Sequence, residues 1–382
     1  MRRPDPLLAA AVVLQWIVTA GVALVATSAG SVFGDRTAAE AAVAASSSLV
    51  HGTVPATPGP GYVLLLAPIV ALTDDVGSVA SIVTTVNVVV LAPLCAYFLF
   101  EIASRGAGRL FAGATMVVWS VAPVAAARLV SPSYHPTYVN DVLPALYGLT
   151  MRPEFVAMTL SVGSAAFAMR AVYGSRRSAL VAGLLAGAAI SVTPTAAGVA
   201  IGVLIAIAAS RHWRSLLDAA IGLTAAVAPT LVWRQRALGG PTVTLGHPSW
   251  STFQSSMAQF RENFWSNRLL QWLPIAGTIG VARLMPTLAV LASGWLAAAS
   301  VLVIATTAEF GRGRLLISMI PAWPAYALLV AAIPALVPTL ATRLGQHLEP
   351  GTGVTDVRKG AAVASVVFLA ALPLVLVVLL AR

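Results

Sequence analysis

The stretch GYVLLLAPIVALT, residues 61–73, is apolar throughout and is closed by Asp74-Asp75. Whether it crosses a membrane decides on which side every later loop falls. At 1.5 Å per residue a helix of this length reaches about 20 Å, short of a hydrocarbon core of roughly 30 Å. It is therefore read as an interfacial or re-entrant segment rather than a span.

The rest of the chain supplies the membrane. Of 382 residues, 58% are hydrophobic and 9% charged, whereas about a quarter of a soluble protein is charged. That composition marks an all-α polytopic membrane protein. Apolar runs of spanning length are expected at Leu7–Ser28, Val79–Ala103, Leu110–Ala127, Phe155–Tyr173, Ser215–Trp233, Leu269–Ala282, Pro286–Thr307, Leu315–Leu340 and Ala361–Ala381. Ala179–Ser210 is too long for one span. Pro194, in SVTPT (191–195) at its middle, removes a helical hydrogen bond and splits the run into a hairpin. The expectation is about eleven transmembrane helices. The basic start MRR resembles a signal peptide, but its apolar run of about 20 residues is longer than an h-region, so a retained first helix is expected. The chain reads as a single integral membrane domain, 1–382. Within it, 1–335 forms a core, and 336–382 forms a cytoplasmic linker and a last helix.

With residues 61–73 kept out of the count, most Lys and Arg fall on the side of the N-terminus. The positive-inside rule then places the N-terminus in the cytoplasm of a bacterial plasma membrane. Three long loops, 29–78, 128–154 and 234–268, face outward and carry the Tyr, Trp, His and Asn residues that point to function.

The net charge is +10, and Lys359 is the single lysine. Such a bias has two readings, a genome rich in Arg codons or a need for the guanidinium fork in phosphate recognition. No basic run is long enough for nucleic acid. Cys95 is the only cysteine, so the chain has neither an internal disulfide nor a multi-cysteine metal site. His51, His135 and His247 share no ligand spacing, and the metal requirement stays open between none and a divalent cation.

Two acids, Asp35 and Glu40, stand in FGDRTAAE (33–40), just past the first apolar run. A carboxylate at the rim of a bilayer cavity can take a proton from a sugar or alcohol hydroxyl. The competing reading puts Asp35 in headgroup water and Glu40 on a solvated surface helix, 37–50. Arg36, beside Asp35, would lower its pKa and weaken it as a base. Asp74-Asp75 read as the N-cap of the helix that follows. Tyr134, His135, Tyr138, Asn140 and Asp141 cluster in YHPTYVND. That set suits either sugar or headgroup recognition, or an aromatic interfacial belt. Arg152 and Glu154 read as a rim ion pair. Arg312 and Arg314, at the mouth of a span, can hold a lipid phosphate bidentately or snorkel to headgroups.

The order of these features resembles the GT-C superfamily of membrane glycosyltransferases, which use polyprenyl-phosphate-linked sugars. The first acid, a surface helix to Val50, Gly52 and PGPGYVLLLAPIVAL (58–72) look like that family's first outer loop. VAGLLAGAAISVTPTAAG (181–198) looks like its later hairpin, and RLLISMIPAWPAYALLVA (314–331) like its terminal motif. The likeness covers most of 1–335. It implies a GT-C-like fold with an interfacial helix in the first extracytoplasmic loop. It implies Asp35 as catalytic base with Glu40 as second choice, and Arg312 or Arg314 as donor-phosphate contact. It also implies a polyprenyl-phosphate sugar donor, a cell-envelope glycan or lipid acceptor, and membrane lipids as surroundings. Arg36-Thr37 stand where relatives carry an aromatic, and Thr193-Pro194 where they carry Lys-Pro. A second resemblance, to actinobacterial integral membrane proteins with GLT after a Y…LP stretch (Tyr138 to Thr150), implies no activity. The alternatives are a transporter or flippase for a lipid-linked or amphipathic solute, and a non-catalytic scaffold.

Overall fold

The computed structural model describes residues 5–28, 36–55, 60–238, 249–263, 267–306, 314–337 and 339–341. Asp35, Arg312 and the expected last helix lie outside them. Among the described residues the chain is helical and has no β-strand. The helices are α1 (Pro6–Ser28), α2 (Arg36–Val50), α3 (Pro60–Val70), α4 (Val76–Ala107), α5 (Arg109–Ala126), α6 (Pro153–Ala171), α7 (Arg176–Val192) and α8 (Ala197–Ala209). They continue with α9 (Trp213–Leu238), α10 (Trp250–Asn263), α11 (Asn267–Leu284), α12 (Pro286–Thr306) and α13 (Trp323–Ala331).

Five segments, in α1, α4, α5, α9 and α12, are long and apolar enough to cross a membrane. Their large apolar side chains point outward in rows: Val13, Ile17 and Leu24 on α1, and Leu217, Ile221 and Leu231 on α9, are all exposed. A continuous apolar exterior of this kind is stable against hydrocarbon and not against water. Several of the other spans expected from sequence are shorter apolar helices here, among them Trp272–Leu284 and Ile320–Leu336.

Ion pairs fix which helix ends lie together. Asp5 at the start of α1 meets Arg109 at the start of α5, 2.7 Å apart, and this partner holds the Asp5 carboxyl below its ordinary range. Glu101 near the end of α4 accepts from Arg170 near the end of α6 at 2.6 Å. Arg176 at the start of α7 meets Asp218 in the second turn of α9 at 2.6 Å. These contacts define one end of the bundle. The chain's alternation of direction then places the described parts of the three long loops at the opposite end. There the Ser131 amide donates to the Asn263 carbonyl at 2.7 Å and ties the second loop to α10 in the third.

The break expected in 179–210 is present. α7 stops at Val192, Thr193 is extended, Pro194–Ala196 makes a single 3-10 turn, and α8 returns. The N-cap expected of Asp74-Asp75 falls on Asp75, whose Oδ2 accepts from the Ser78 amide and hydroxyl, both at 2.8 Å. Those bonds hold its carboxyl below the ordinary range.

α4 is 32 residues long, or about 48 Å, and overshoots a core of roughly 30 Å. α2 and α3 pack around its first turns. Ala39 and Val43 of α2, Tyr62, Leu66 and Val70 of α3, and Val79, Ala80 and Val83 of α4 form one buried cluster. The spacing of Ala39, Val43 and Ser46 gives α2 a single buried face. α3 has 11 residues and is too short to cross, as the opening stretch predicts.

In lipid, apolar burial does not drive helices together, so close packing must. Gly183 and Gly187 of α7 lie four residues apart against α9. A Cβ on Gly187 would come within 2.6 Å of the Ala226 Cβ and 2.8 Å of the Leu223 carbonyl oxygen. Gly198 and Gly202 repeat the spacing on α8, against Ala299 and against Leu291 and Trp295 of α12. Gly187→Val, measured by thermal unfolding in detergent, should cost about 1–3 kcal/mol by overpacking. The same change at Gly113, which has open space around it, should cost much less.

Candidate functional site

The loop-bearing end holds two features. The first is an apolar groove of about 560 Å³ lined by Val54, Ala225, Ala228, Pro229, Val232, Trp233 and Arg236. Val54 comes from the link between α2 and α3, and the others from the last turns of α9. Arg236 supplies a cation, and the indole Nε1 of Trp233 is shielded from solvent and has no hydrogen-bond partner among the described residues.

The second is a polar group of Tyr62, Arg152 and Glu154. Tyr62, on the first turn of α3, is 6% exposed. Its ring shares the cluster that contains Met151, Ala157 and Val192. Its hydroxyl, Arg152 Nε and Glu154 Oε2 are all screened from solvent and find no hydrogen-bond partner among the described residues. Glu154 as a whole is half-buried, but that oxygen is not reached by solvent. Burial, reinforced by the charge of Glu154 and opposed by that of Arg152, pushes the Tyr62 hydroxyl above its ordinary pKa. Burial also holds the Glu154 carboxyl above the usual range, against the pull of Arg152.

Local sequence explains why the rim ion pair expected of Arg152 and Glu154 does not form. Pro153 sits at the first helical position of α6 and bars its predecessor from helical backbone. Arg152 is accordingly extended, at φ −122° and ψ 145°. Glu154 points from the first turn, and residues two apart do not face each other.

Groove and polar group are joined by the top of α7. Gly61 lies on the backbone of Ser191 and Val192, where a Cβ would meet the Ser191 carbonyl carbon at 2.7 Å. The Ser191 hydroxyl in turn lies 2.6 Å from that of Thr230 on α9, one residue from Pro229 in the groove.

The residues singled out from sequence are placed as follows. Glu40 is exposed and accepts from Arg36 at 2.9 Å within α2. Tyr134 is buried, with the charge of Asp141 acting on its hydroxyl. His135 is exposed. Tyr138 is buried and donates to the Pro123 carbonyl at 2.8 Å, filling an acceptor left open near the end of α5. Asn140 is half-buried, with Oδ1 unpartnered among the described residues. Asp141 is half-buried, and Arg314 is exposed at the start of the short helix Arg314–Ser318. The second loop is thus divided. Its entry packs over α1 and α5, and its exit, 150–154, turns toward α3. Asn87 on α4 pins the middle by donating to the Gly148 carbonyl at 3.1 Å.

Tyr62, Trp233 and Arg236 were not singled out from sequence. The usable signal for Tyr62 was the proline-glycine turn before it, which lets a short helix bring its first aromatic down onto a helix end. No group of His, Cys, Asp and Glu fit to hold a metal occurs among the described residues.

Fold and surface together define an all-helical integral membrane protein with a polar group and an apolar groove at its loop-bearing end. No protein-family model matches the chain, and no curated protein sequence matches it.

The raised pKa of Glu154 makes a signed prediction. The fold disfavours the ionised carboxylate, so the penalty is full above the folded pKa. It fades as pH falls through that value toward the ordinary 4.5. Glu154→Gln should therefore raise the unfolding midpoint at neutral pH. The gain should shrink as pH is lowered toward 4.5, in a melting series on the purified protein.

Proposed function

We propose that the chain is a membrane glycosyltransferase that moves a sugar from a polyprenyl-phosphate donor to an acceptor at the extracytoplasmic face. The N-terminus then lies in the cytoplasm, and the loop-bearing end faces out. The observation that carries the reading is an apolar groove bearing a cation, linked through Thr230 and Ser191 to the helix end on which Gly61 and the buried Tyr62 are seated. A lipid-linked sugar needs both: apolar walls for its chain, a cation for its phosphate, and donors and acceptors for its ring. The resemblance of 1–335 to the GT-C superfamily supports the same conclusion.

In this reading the groove holds part of the prenyl chain and Arg236 joins Arg312 and Arg314 as a candidate phosphate contact. Asp35 is the proposed general base. Glu40 is the weaker choice because Arg36 already occupies its carboxylate.

The test is transfer of radiolabelled sugar from polyprenyl-phosphate donors in vesicles carrying the full chain. Wild type should give a glycosylated product, and Asp35→Asn should lower the rate by about 100-fold or more, the usual worth of a positioned base. Full activity in that variant removes Asp35 from the role. Solute flux with no glycosylated product in any preparation replaces the transferase with a transporter.

A further inference from the structure

We propose that the α6–α7 and α8–α9 turns together hold an anionic phospholipid headgroup, with Arg177, Arg211 and Arg214 as its phosphate contacts. The turns meet at the start of α9, and the groove lies at that helix's other end, so the inference is independent of the transferase reading. A Cβ on Gly174 would lie 3.9 Å from Cε1 of the His212 ring, which sets the two turns in van der Waals contact. Arg176 clamps them with two bonds to Asp218, at 2.6 and 2.9 Å. The stretches 173–177 and 211–214 contain Arg176, Arg177, Arg211 and Arg214 and no acid. At this end of the bundle Arg105, Arg109 and Arg170 are also in ion pairs. Arg177, Arg211 and Arg214 are exposed and make no ion pair among the described residues. Cationic charge without a counter-charge is thus concentrated on one corner.

The backbone marks Arg211 as well. Among the described residues it is the one non-glycine residue with positive φ, at 60°. It follows the end of α8, and its amide donates to the Ala208 carbonyl at 2.9 Å. That is the left-handed cap position where glycine costs least. An arginine there costs backbone energy and leaves an exposed cation at the corner.

The surroundings select a lipid. Trp213 opens the segment Trp213–Trp233, which is long and apolar enough to cross a membrane. Trp213 and Tyr173 are exposed, 66% and 55%, as aromatics at a membrane edge are. Leu217 and Ile221 follow Arg214 at three and seven residues, and Leu180 and Leu184 follow Arg177 at the same spacing. All four leucine and isoleucine side chains are exposed, so each arginine heads an apolar row on its helix. A phospholipid supplies both halves: phosphate oxygens that fit the guanidinium fork, and acyl chains for the rows beneath. A free anion or an acidic polypeptide would leave the rows uncovered.

The test is competition between phosphatidylglycerol and phosphatidylcholine, in equal amounts, for the purified full chain in mild detergent. Retained lipids are counted by native mass spectrometry. Wild type should retain phosphatidylglycerol over phosphatidylcholine. Arg211→Gly should lower that preference roughly fivefold, the usual worth of one basic residue at an anionic surface. Combining it with Arg177→Gln and Arg214→Gln should abolish the preference. Arg128→Gln with Arg261→Gln, which removes two exposed cations from the loop-bearing end, should leave it unchanged. In nanodiscs of phosphatidylcholine alone, Arg211→Gly should melt at or above the wild-type midpoint, because glycine suits the left-handed cap. Lost retention in that variant is then not misfolding. An arginine with a merely structural role would lower the midpoint and leave the lipid preference as it was.

The proposal is overturned if wild type shows no preference, or if the triple variant retains phosphatidylglycerol as wild type does. It is also overturned if the Arg128 and Arg261 variant loses as much, since charge count alone then explains the retention. Inorganic phosphate or polyglutamate is added as a competitor. Displacement of the lipid by phosphate reassigns the corner to a free anion, and displacement by polyglutamate reassigns it to an acidic protein segment; either result removes the lipid.

Discussion

Backbone-to-backbone contact through glycine is the constraint on which the remaining structure depends. Hydrocarbon gives apolar side chains no reason to leave it, so helices associate only where packing is closer than lipid can match. Gly183 and Gly187 bring α7 onto α9, and Gly222 returns the contact from the other side. The seam fixes the top of α7, and Gly61 in turn seats α3 on that top. Tyr62, the next residue, is positioned by this stack. The polar group therefore owes its geometry to glycine positions tens of residues away that touch no ligand.

The second organising fact is how thoroughly backbone irregularities are repaired elsewhere. α4 widens into a π-helical turn at Asn87–Leu91, and the Val88 carbonyl there accepts from the Trp16 indole at 3.0 Å. The end of α5 is met by Tyr138, and the Ser120 carbonyl, three residues before Pro123, accepts from the Tyr147 hydroxyl. These three carbonyls each have a side chain sent to them, in keeping with the cost of unpaired groups in a low-dielectric interior. Several buried side-chain atoms among the described residues do lack a partner, and Arg152 and Glu154 are the charged ones.

Glu101 shows the contrast at the other end. It is nearly buried, with its side chain 11% exposed, yet it accepts from both Arg105 and Arg170. Arg170 also lies over the Phe167 ring at 4.5 Å. Here charge is used to fasten α4 to α6, and every valence is filled. The same residue types serve as a fastener at one end and as an open group at the other. The difference is the proline between Arg152 and Glu154.

Much of the architecture was legible in one dimension. Composition dictated a helical membrane protein. Length limited residues 61–73 to a short apolar helix, Pro194 broke the long apolar run, and an aspartate before Val76 announced a cap. These are local properties, set by rise per residue, missing amides and short-range hydrogen bonds. The candidate site was less legible. Charge and aromatic content drew attention to Tyr134–Asp141, where the Tyr138 hydroxyl is spent on a helix end, and to Glu40, which Arg36 engages. Arg152 and Glu154 read as an ion pair because adjacency in sequence hides the turn that Pro153 imposes. That Tyr62 shares a buried cluster with Met151 and Ala157, while α9 lines a groove, follows from the three-dimensional stacking of α3, α7 and α9. Close approach between distant segments leaves no periodic mark in a sequence; it is decided only when the helices pack.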